Sequence, residues 1–309
     1  MSYKLNKKQI KTVCENAAQA LLDYCTANNI HYVITGSSGG LDSAVTLGLA
    51  QVACKMAKKK NFRLTSVGLI LPCNSKPEAE ELGREAIEKF GAEEIFLDFS
   101  CLYSWLDRPV YLGSLKKQVM DILKKTGGMD DCFEHSEKIA SGNIKARLRM
   151  MLGTYHVARL MKGIVLSTDN LSEYWMAFWT LHGDVGDFSM IQHLTKGLEL
   201  YDVARYLGVP QGIIDAKPDD GLGISGGDED QLGAAYPVLD KIMITLIQKG
   251  FDPDGSPEQL RRLPPVPGVE KETIMKIARR AIGGAYKRKG TVMLTRAQLG
   301  LPEIKNIKL

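Results

Sequence analysis

Eight residues, Gly36-Ser37-Ser38-Gly39-Gly40-Leu41-Asp42-Ser43, stand between a short β-prone run at 31–35 and a helical stretch at about 44–59. The apolar stripe of that helix is Val45, Leu49, Val52, Ala53 and Met56. Strand, glycine turn and helix in this order form the opening unit of a sheet whose strands run parallel, and the unit recurs. Residues 64–71 are apolar and strand-like, 77–90 are helical up to Gly91, and 95–99 are strand-like again. A long helix over about 144–161 then leads to a fourth strand at 163–168. Such alternation predicts an α/β fold, a doubly wound parallel sheet flanked by helices.

Both ends add helix. From Ile10, Val13, Cys14, Ala17, Ala18, Leu21, Tyr24 and Cys25 keep helical spacing ahead of the first strand. Residues 101–141, with Gly127, Gly128, Asp130 and Asp131, read as an exposed loop flanked by helices. Beyond the fourth strand come a turn at 183–187, a helix at 198–207 stopped by Gly208, and a glycine- and aspartate-rich loop at 218–230. Loops of that length are usually functional or disordered. A helix at 231–249, a Pro-rich linker at 253–267 and a basic helix from Val269 complete the chain. The expectation is one domain over 1–309, its core at about 8–250 and the linker and basic helix at about 251–309.

Composition removes several classes of function. The 44% apolar, 25% charged and 7% aromatic content of the 309 residues is that of a globular chain, not a disordered or fibrous one. Forty basic against 36 acidic residues leave +4, too little for nucleic-acid binding, so any phosphate site must be local. The opening MSYKLNKKQI lacks a following apolar region, and no run of about 18 apolar residues occurs, so neither signal peptide nor membrane span is expected. The six cysteines, Cys14, Cys25, Cys54, Cys73, Cys101 and Cys132, never form CxxC or a zinc spacing with His. They read as reduced core thiols in a cytoplasmic protein.

The loop at 36–43 has the chemistry of an anion site. Glycines let backbone N–H groups face a phosphate, the following helix adds about half a positive charge, and serine hydroxyls donate further hydrogen bonds. A Walker A loop needs Lys before its Ser or Thr, and Asp42 stands there instead. A carboxylate in a phosphate loop repels its ligand unless a cation bridges them, so Asp42 implies Mg²⁺.

Ser38-Gly39-Gly40-Leu41-Asp42-Ser43 resembles the SGGxDS signature of the ATP pyrophosphatases, which cleave ATP to AMP and pyrophosphate while adenylating a carboxylate or carbonyl oxygen. Gly142-Asn143-Ile144-Lys145-Ala146-Arg147 resembles the GNIKAR helix of NAD synthetases, and Ser167-Thr168-Asp169-Asn170-Leu171-Ser172-Glu173 their GTxNxxE segment, with Ser167 for the usual Gly. Leu194-Thr195-Lys196, Lys217-Pro218 and Tyr286-Lys287-Arg288 resemble the LTK, KxPTADL and terminal YKR segments. The turn Gly183-Asp184-Val185-Gly186-Asp187 resembles one that touches deamido-NAD. The likeness spans about 8–300. Two departures stand out: Asp219-Asp220-Gly221 replaces Thr-Ala-Asp, and Ile70 precedes Leu71-Pro72 where some members carry Arg.

The resemblance implies an ammonia-dependent NAD synthetase, a homodimer that binds ATP and deamido-NAD and needs no amidase domain; whether a separate glutaminase delivers ammonia stays open. It implies ATP contacts from Gly36, Ser37, Ser38, Gly39, Gly40, Asp42, Ser43, Leu71, Thr168, Lys196 and Lys217. Deamido-NAD falls to Asn143, Arg147, Asp187 and Lys287, Mg²⁺ to Asp42 and Glu173, and catalysis to Asp42, Glu173 and Lys196. Asn143 and Arg147 share one helix face, and Lys145 and Arg149 another that meets a partner or solvent. Plainer readings stand beside these. Asn170 and Glu173 make a capping box, and basic helices are often solvated faces. Another ATP pyrophosphatase, acting on a nucleobase or tRNA, and a nucleotide-binding sensor without turnover are the rival functions.

Overall fold

The computed structural model describes residues 4–128, 133–219, 221–223, 226–291, 293–299 and 301. Asp130, Asp131, Cys132 and Asp220 lie outside them. The apolar runs become strands β1 (Tyr32–Gly36), β2 (Thr65–Ile70), β3 (Glu93–Phe96) and β4 (Ile164–Ser167), joined by a two-residue β5 (Phe188–Ser189). The order is β3-β2-β1-β4-β5 and every pairing is parallel, with Ile34 beside Val67 on one side and Val165 on the other. The connection reverses between β1 and β4, and ligands of open α/β sheets bind at the carboxyl edge of such a switch point.

Alternation along β1 builds a core on both faces. Val33 packs with Leu21 and Leu22 of α1 (Lys7–Ala27) and Ala50 and Ala53 of α2 (Leu41–Lys59). Ile34 packs on the other face with Phe99, Tyr103 and Leu148. α3 (Pro77–Phe90) ends at Gly91, whose φ of 65° is the left-handed stop expected of glycine.

Several expected boundaries move. Residues 101–141 are largely helical, as α4 (Ser100–Leu106), α5 (Ser114–Thr126) and α6 (Phe133–Leu148), rather than an exposed loop. The helix expected at 144–161 is interrupted by a π-helical turn, Arg149–Thr154, before α7 (Tyr155–Leu160). A Cβ on Gly153 would lie 2.5 Å from Leu71 Cδ1, so this widened turn lets the helix backbone press against the end of β2.

Past β4 come α8 (Leu171–Trp175), a π-helical turn at Lys196–Leu200, α9 (Tyr201–Leu207) and α10 (Gln211–Asp215). The helix expected at 231–249 is two, α11 (Asp228–Leu232) and α12 (Tyr236–Gln248), parted where Gly233 takes a φ of 85°. α13 (Lys271–Gly283) and α14 (Ala285–Lys289) follow. The segment 253–267 does not behave as a linker. It makes a 3₁₀ turn, Pro257–Arg262, and buries Val266 with Trp175, Leu246, Phe251 and Ile274 in a helical layer beside the sheet. Proline content marks the backbone there but hides the apolar anchors, Val266 with Leu260 and Leu263 beside it.

Candidate active site

The loop after β1 is shaped by α3. Ser37 N–H donates to Leu69 O, extending the β1–β2 ladder, while Ser37 Oγ donates to Gly83 O at 2.9 Å. Gly39 has a φ of 81° and a Cβ there would stand 2.3 Å from Ala79 O; one on Gly83 would stand 2.8 Å from Ser37 O. Two glycines therefore bring loop and helix backbone to backbone. Ser43 Oγ, at 2.9 Å from Gly40 O and 3.2 Å from Ser38 Oγ, closes the turn, and the first residues of α2, Leu41, Asp42 and Ser43, border the space above.

That space is a cavity of about 550 Å³ lined by all eight loop residues and by Leu71, Thr168, Lys196 and Lys217. The structure thus brings together every residue assigned to ATP. Lys145 and Arg149 line it too. Arg149 donates from Nε to Leu71 O at 2.9 Å and from Nη2 to Ser75 Oγ at 3.0 Å. The face of α6 assigned to a partner or solvent is a wall of this cavity, because the helix lies across the carboxyl edge of the sheet.

At the bottom of the cavity lies a buried ionic cluster. Lys196 Nζ sits 2.9 Å from Asp42 Oδ2, 2.9 Å from Glu173 Oε1 and 3.8 Å from Asp228 Oδ2. The Tyr236 hydroxyl donates to Glu173 Oε1 at 2.8 Å, and its ring centroid is 4.4 Å from Nζ. Burial opposes charge on Lys196, but the Asp42 and Glu173 carboxylates outweigh it, so its pKa lies well above the ordinary lysine value. Burial drives Glu173 upward, offset in part by Lys196.

Asn170 has two duties. Its Oδ1 accepts Glu173 N–H at 3.0 Å as the cap of α8, and its Nδ2 donates to Asp42 Oδ1 at 2.7 Å. The Glu173 carboxylate is turned toward Lys196 and Tyr236, so the capping box forms by half. Asp240 on α12 braces the cluster from behind. It accepts from Ser172 Oγ and, at 2.7 Å, from Gly197 N–H, while Lys196 N–H donates to Ser172 Oγ at 2.9 Å.

Asp42 and Glu173 converge on one cation, the Lys196 ammonium, which is the arrangement a divalent metal needs from two carboxylates. Mg²⁺ binds through one or two carboxylates with phosphate oxygens and water completing the shell. Among the described residues no group of three or more His, Cys, Asp or Glu side chains is spaced to hold a metal unaided. The pair therefore fits a metal that arrives with a phosphate ligand.

A second cavity of about 550 Å³ adjoins the first at Met150 and Asp169 and is lined by Tyr174, Trp179, Leu181 and Lys287. Lys287 Nζ donates to Ala177 O and Trp179 O at 3.0 and 2.6 Å. Thr180 Oγ1 donates to Asn143 Oδ1 at 2.6 Å and Arg147 to Leu181 O, which tethers the GNIKAR helix to this turn. Burial pushes Asp184 up to about 7 against the hydrogen bonds from Thr180 N–H, and pushes Asp169 well up as well. Asn143 and Arg147 line neither cavity and reach the second only through these tethers to Thr180 and Leu181, whereas Asp187 stands apart. It lines neither cavity, and its carboxylate accepts from Val165 N–H at 3.0 Å, from Tyr155 and from Arg159 Nη2, so the structure gives it a part in joining β4 to α7.

Sequence reading missed Arg149, Asp169, Asp184, Asp228, Tyr236 and Asp240. Asp169 and Asp184 stand within the motifs quoted above, and Arg149 lies one turn past Lys145. Tyr236 and Asp240 carry a fainter signal, polar groups on the otherwise apolar helix α12, and Asp228 carries none, standing in an acidic run.

A sequence profile described as NAD synthase matches residues 13–291. An NH(3)-dependent NAD(+) synthetase of Methanopyrus kandleri is 35% identical over 225 residues, 71% of this chain and 69% of that protein. One of Methanocaldococcus jannaschii is 35% identical over 230 residues, 73% and 77% of the two chains. Among solved structures, NMN synthetase from Francisella tularensis superposes with a TM-score of 0.67 at 25% identity, covering 92% of this chain and 98% of that one. The profile over 13–291 and these relatives show that the chain belongs to the NAD synthase family.

Proposed function

We propose that the chain forms the amide of NAD from deamido-NAD and ammonia, consuming ATP and releasing AMP and pyrophosphate. It is a carbon–nitrogen ligase of the ammonia-dependent type. The observation that carries the reading is the phosphate loop at the switch point with Asp42, Glu173 and Lys196 converging beneath it.

The nicotinate carboxylate attacks the α-phosphorus of ATP, the bond to the β-phosphate oxygen breaks, and pyrophosphate leaves. Ammonia then attacks the acyl carbon of the adenylate, AMP departs, and a proton is lost from nitrogen. Loop amides hold the phosphates in place for the first step, while the Ser37 and Ser43 hydroxyls, bonded to Gly83 O and Gly40 O, fix the shape of the loop. Lys196, Lys217, Lys145 and Arg149 surround the cavity with positive charge that stabilises the departing pyrophosphate. Asp42 and Glu173 would hold Mg²⁺, which neutralises triphosphate oxygens when bound. Lys287 lines the second cavity, and Arg147 and Asn143 hold the turn at 180–181 that walls it, which suits the dinucleotide. Positioning and charge neutralisation suffice, so no covalent enzyme nucleophile is required.

The same reading takes the protein to be cytoplasmic and homodimeric. The five cysteines among the described residues are free thiols, Cys101 exposed rather than in the core, and no helix among those residues is long and apolar enough to cross a membrane. Leu115 and Ile122 on α5 are 57% and 61% exposed, which supports a covered face in a dimer.

The deciding experiment supplies ATP, Mg²⁺ and ammonium with either deamido-NAD or the carboxylate analogue of NMN, and repeats each with glutamine for ammonium. Products are followed by mass spectrometry. Equimolar AMP and NAD with deamido-NAD and ammonium is the expected result. Amide formed only from the mononucleotide would move the substrate to that of the Francisella neighbour, and ATP bound without any AMP would leave a sensor.

A further inference from the structure

The Lys196 ammonium lies where a metal shared by Asp42 and Glu173 would lie. It is 2.9 Å from both carboxylates, and the lysine is only 4% exposed. Its main chain is fixed from two sides, by Ser172 Oγ on Lys196 N–H and by Asp240 on Gly197 N–H. The side chain is therefore aimed at the carboxylate pair by rigid elements. Asp228 and the Tyr236 hydroxyl, 3.8 and 3.4 Å from Nζ, give the ammonium further polar neighbours, and the same hydroxyl donates to Glu173 Oε1.

Cation and metal compete for the same oxygens. A divalent ion entering alone would meet a positive charge at close range in a site shielded from water, where such repulsion is strong. An ion entering with a triphosphate brings negative charge that can draw the ammonium away from the pair. We propose that Lys196 is a resident counter-cation that keeps Asp42 and Glu173 closed to divalent metal until nucleotide arrives, so that metal binding at this pair is gated by nucleotide. The inference rests on the assignment of Asp42 and Glu173 as the metal pair.

The test is Mn²⁺ binding to the full-length protein, followed by electron paramagnetic resonance with and without α,β-methylene-ATP. Nucleotide-free wild type is expected to show no Asp42-dependent Mn²⁺ site at concentrations up to about tenfold above those at which Lys196→Gln fills one. With the analogue both proteins bind Mn²⁺, and Asp42→Asn and Glu173→Gln lose that binding. A stoichiometric, Asp42-dependent site in nucleotide-free wild type overturns the inference without need of a lysine variant. Lys196→Gln that folds, by its circular dichroism, yet gains no site also overturns it while leaving the metal pair standing. If Asp42→Asn and Glu173→Gln keep full Mn²⁺ binding with the analogue, the metal assignment itself fails and the gating with it.

Discussion

Gly39→Ala tests whether the phosphate loop takes its shape from α3. Two costs are separable. The first is conformational: a φ of 81° is left-handed, which costs a residue bearing a Cβ about 1–2 kcal/mol. The second is contact. The new Cβ would lie 2.3 Å from Ala79 O and 3.1 Å from Ala79 C, backbone atoms held in the first turn of α3 by the Ala79 N–H bond to Lys76 O. Relieving such an overlap in a packed region costs about 1–3 kcal/mol. Gly91→Ala is the control, since its φ is 65° and its nearest neighbour, Gln51 Nε2, is 3.6 Å away and flexible. The expected losses are about 2–5 kcal/mol for Gly39→Ala and about 1–2 for Gly91→Ala, read as shifts in urea midpoint at unchanged slope. Titration with ATP should show weaker binding for Gly39→Ala alone, because α3 and the loop must part. Equal destabilisation by the two changes, with ATP affinity intact in both, would refute the claim that backbone contact with α3 shapes the loop.

Tyr236→Phe keeps the ring against Lys196 but removes the donor to Glu173; hydrogen bonds to charged groups are worth about 1.5–3 kcal/mol, so lower thermal stability and a lower kcat at unchanged KM for ATP are expected. Unaltered melting and turnover would show the hydroxyl to be idle. Asp184 has a folded pKa raised to about 7 by burial, above the unfolded value of about 3.9, so the folded state keeps a proton that the unfolded chain sheds and stability falls as pH rises through this window. Asp184→Asn removes that fall, and its advantage over wild type in urea midpoint should be larger at pH 8 than at pH 5; a constant difference contradicts the sign. Arg147→Ala should raise KM for deamido-NAD by about tenfold or more, the worth of a charge-assisted hydrogen bond, and leave KM for ATP nearly unchanged. Equal effects on both substrates would place α6 wrongly.

The parts legible in sequence were those governed by local pattern. Four strands, the loop at 36–43 and the capping Asn170 announce themselves because their chemistry is complete within a few residues. β5 is two residues long and leaves no periodicity to read. The facing of Lys145 and Arg149 was misjudged because helix faces say nothing about which side meets the sheet edge, and the π turn beginning at Arg149 shifts the register beyond it. Asp228, Tyr236 and Asp240 reach the cluster through packing of α11 and α12 against α8 and the turn at 196–200, contacts that join residues up to 68 apart in sequence. Asp187 was placed by likeness to a motif, and the neighbouring backbone N–H of Val165 claims its carboxylate instead.

Those same packing contacts alter what the carboxyl-terminal third of the chain is for. Only about 251–309 is expected as linker and basic helix, yet Val266 and α13 join α12 in a helical layer whose core includes Trp175 and Met176 at the end of α8. One turn earlier on that helix stand Ser172 and Glu173. α12 buries Leu239, Ile242 and Met243 in the layer and, on the adjoining face, directs Tyr236 and Asp240 into the ionic cluster. A short helix such as α8, with five residues, has too few internal hydrogen bonds to hold a buried charge by itself. The sheet edge supplies the phosphate loop and Asp42; the helical layer supplies the rigidity that keeps Glu173 and Lys196 opposite it. Burial of a cation among three carboxylates is tolerable only if every partner is fixed. The structure meets that condition by letting one helix serve both as core element and as brace.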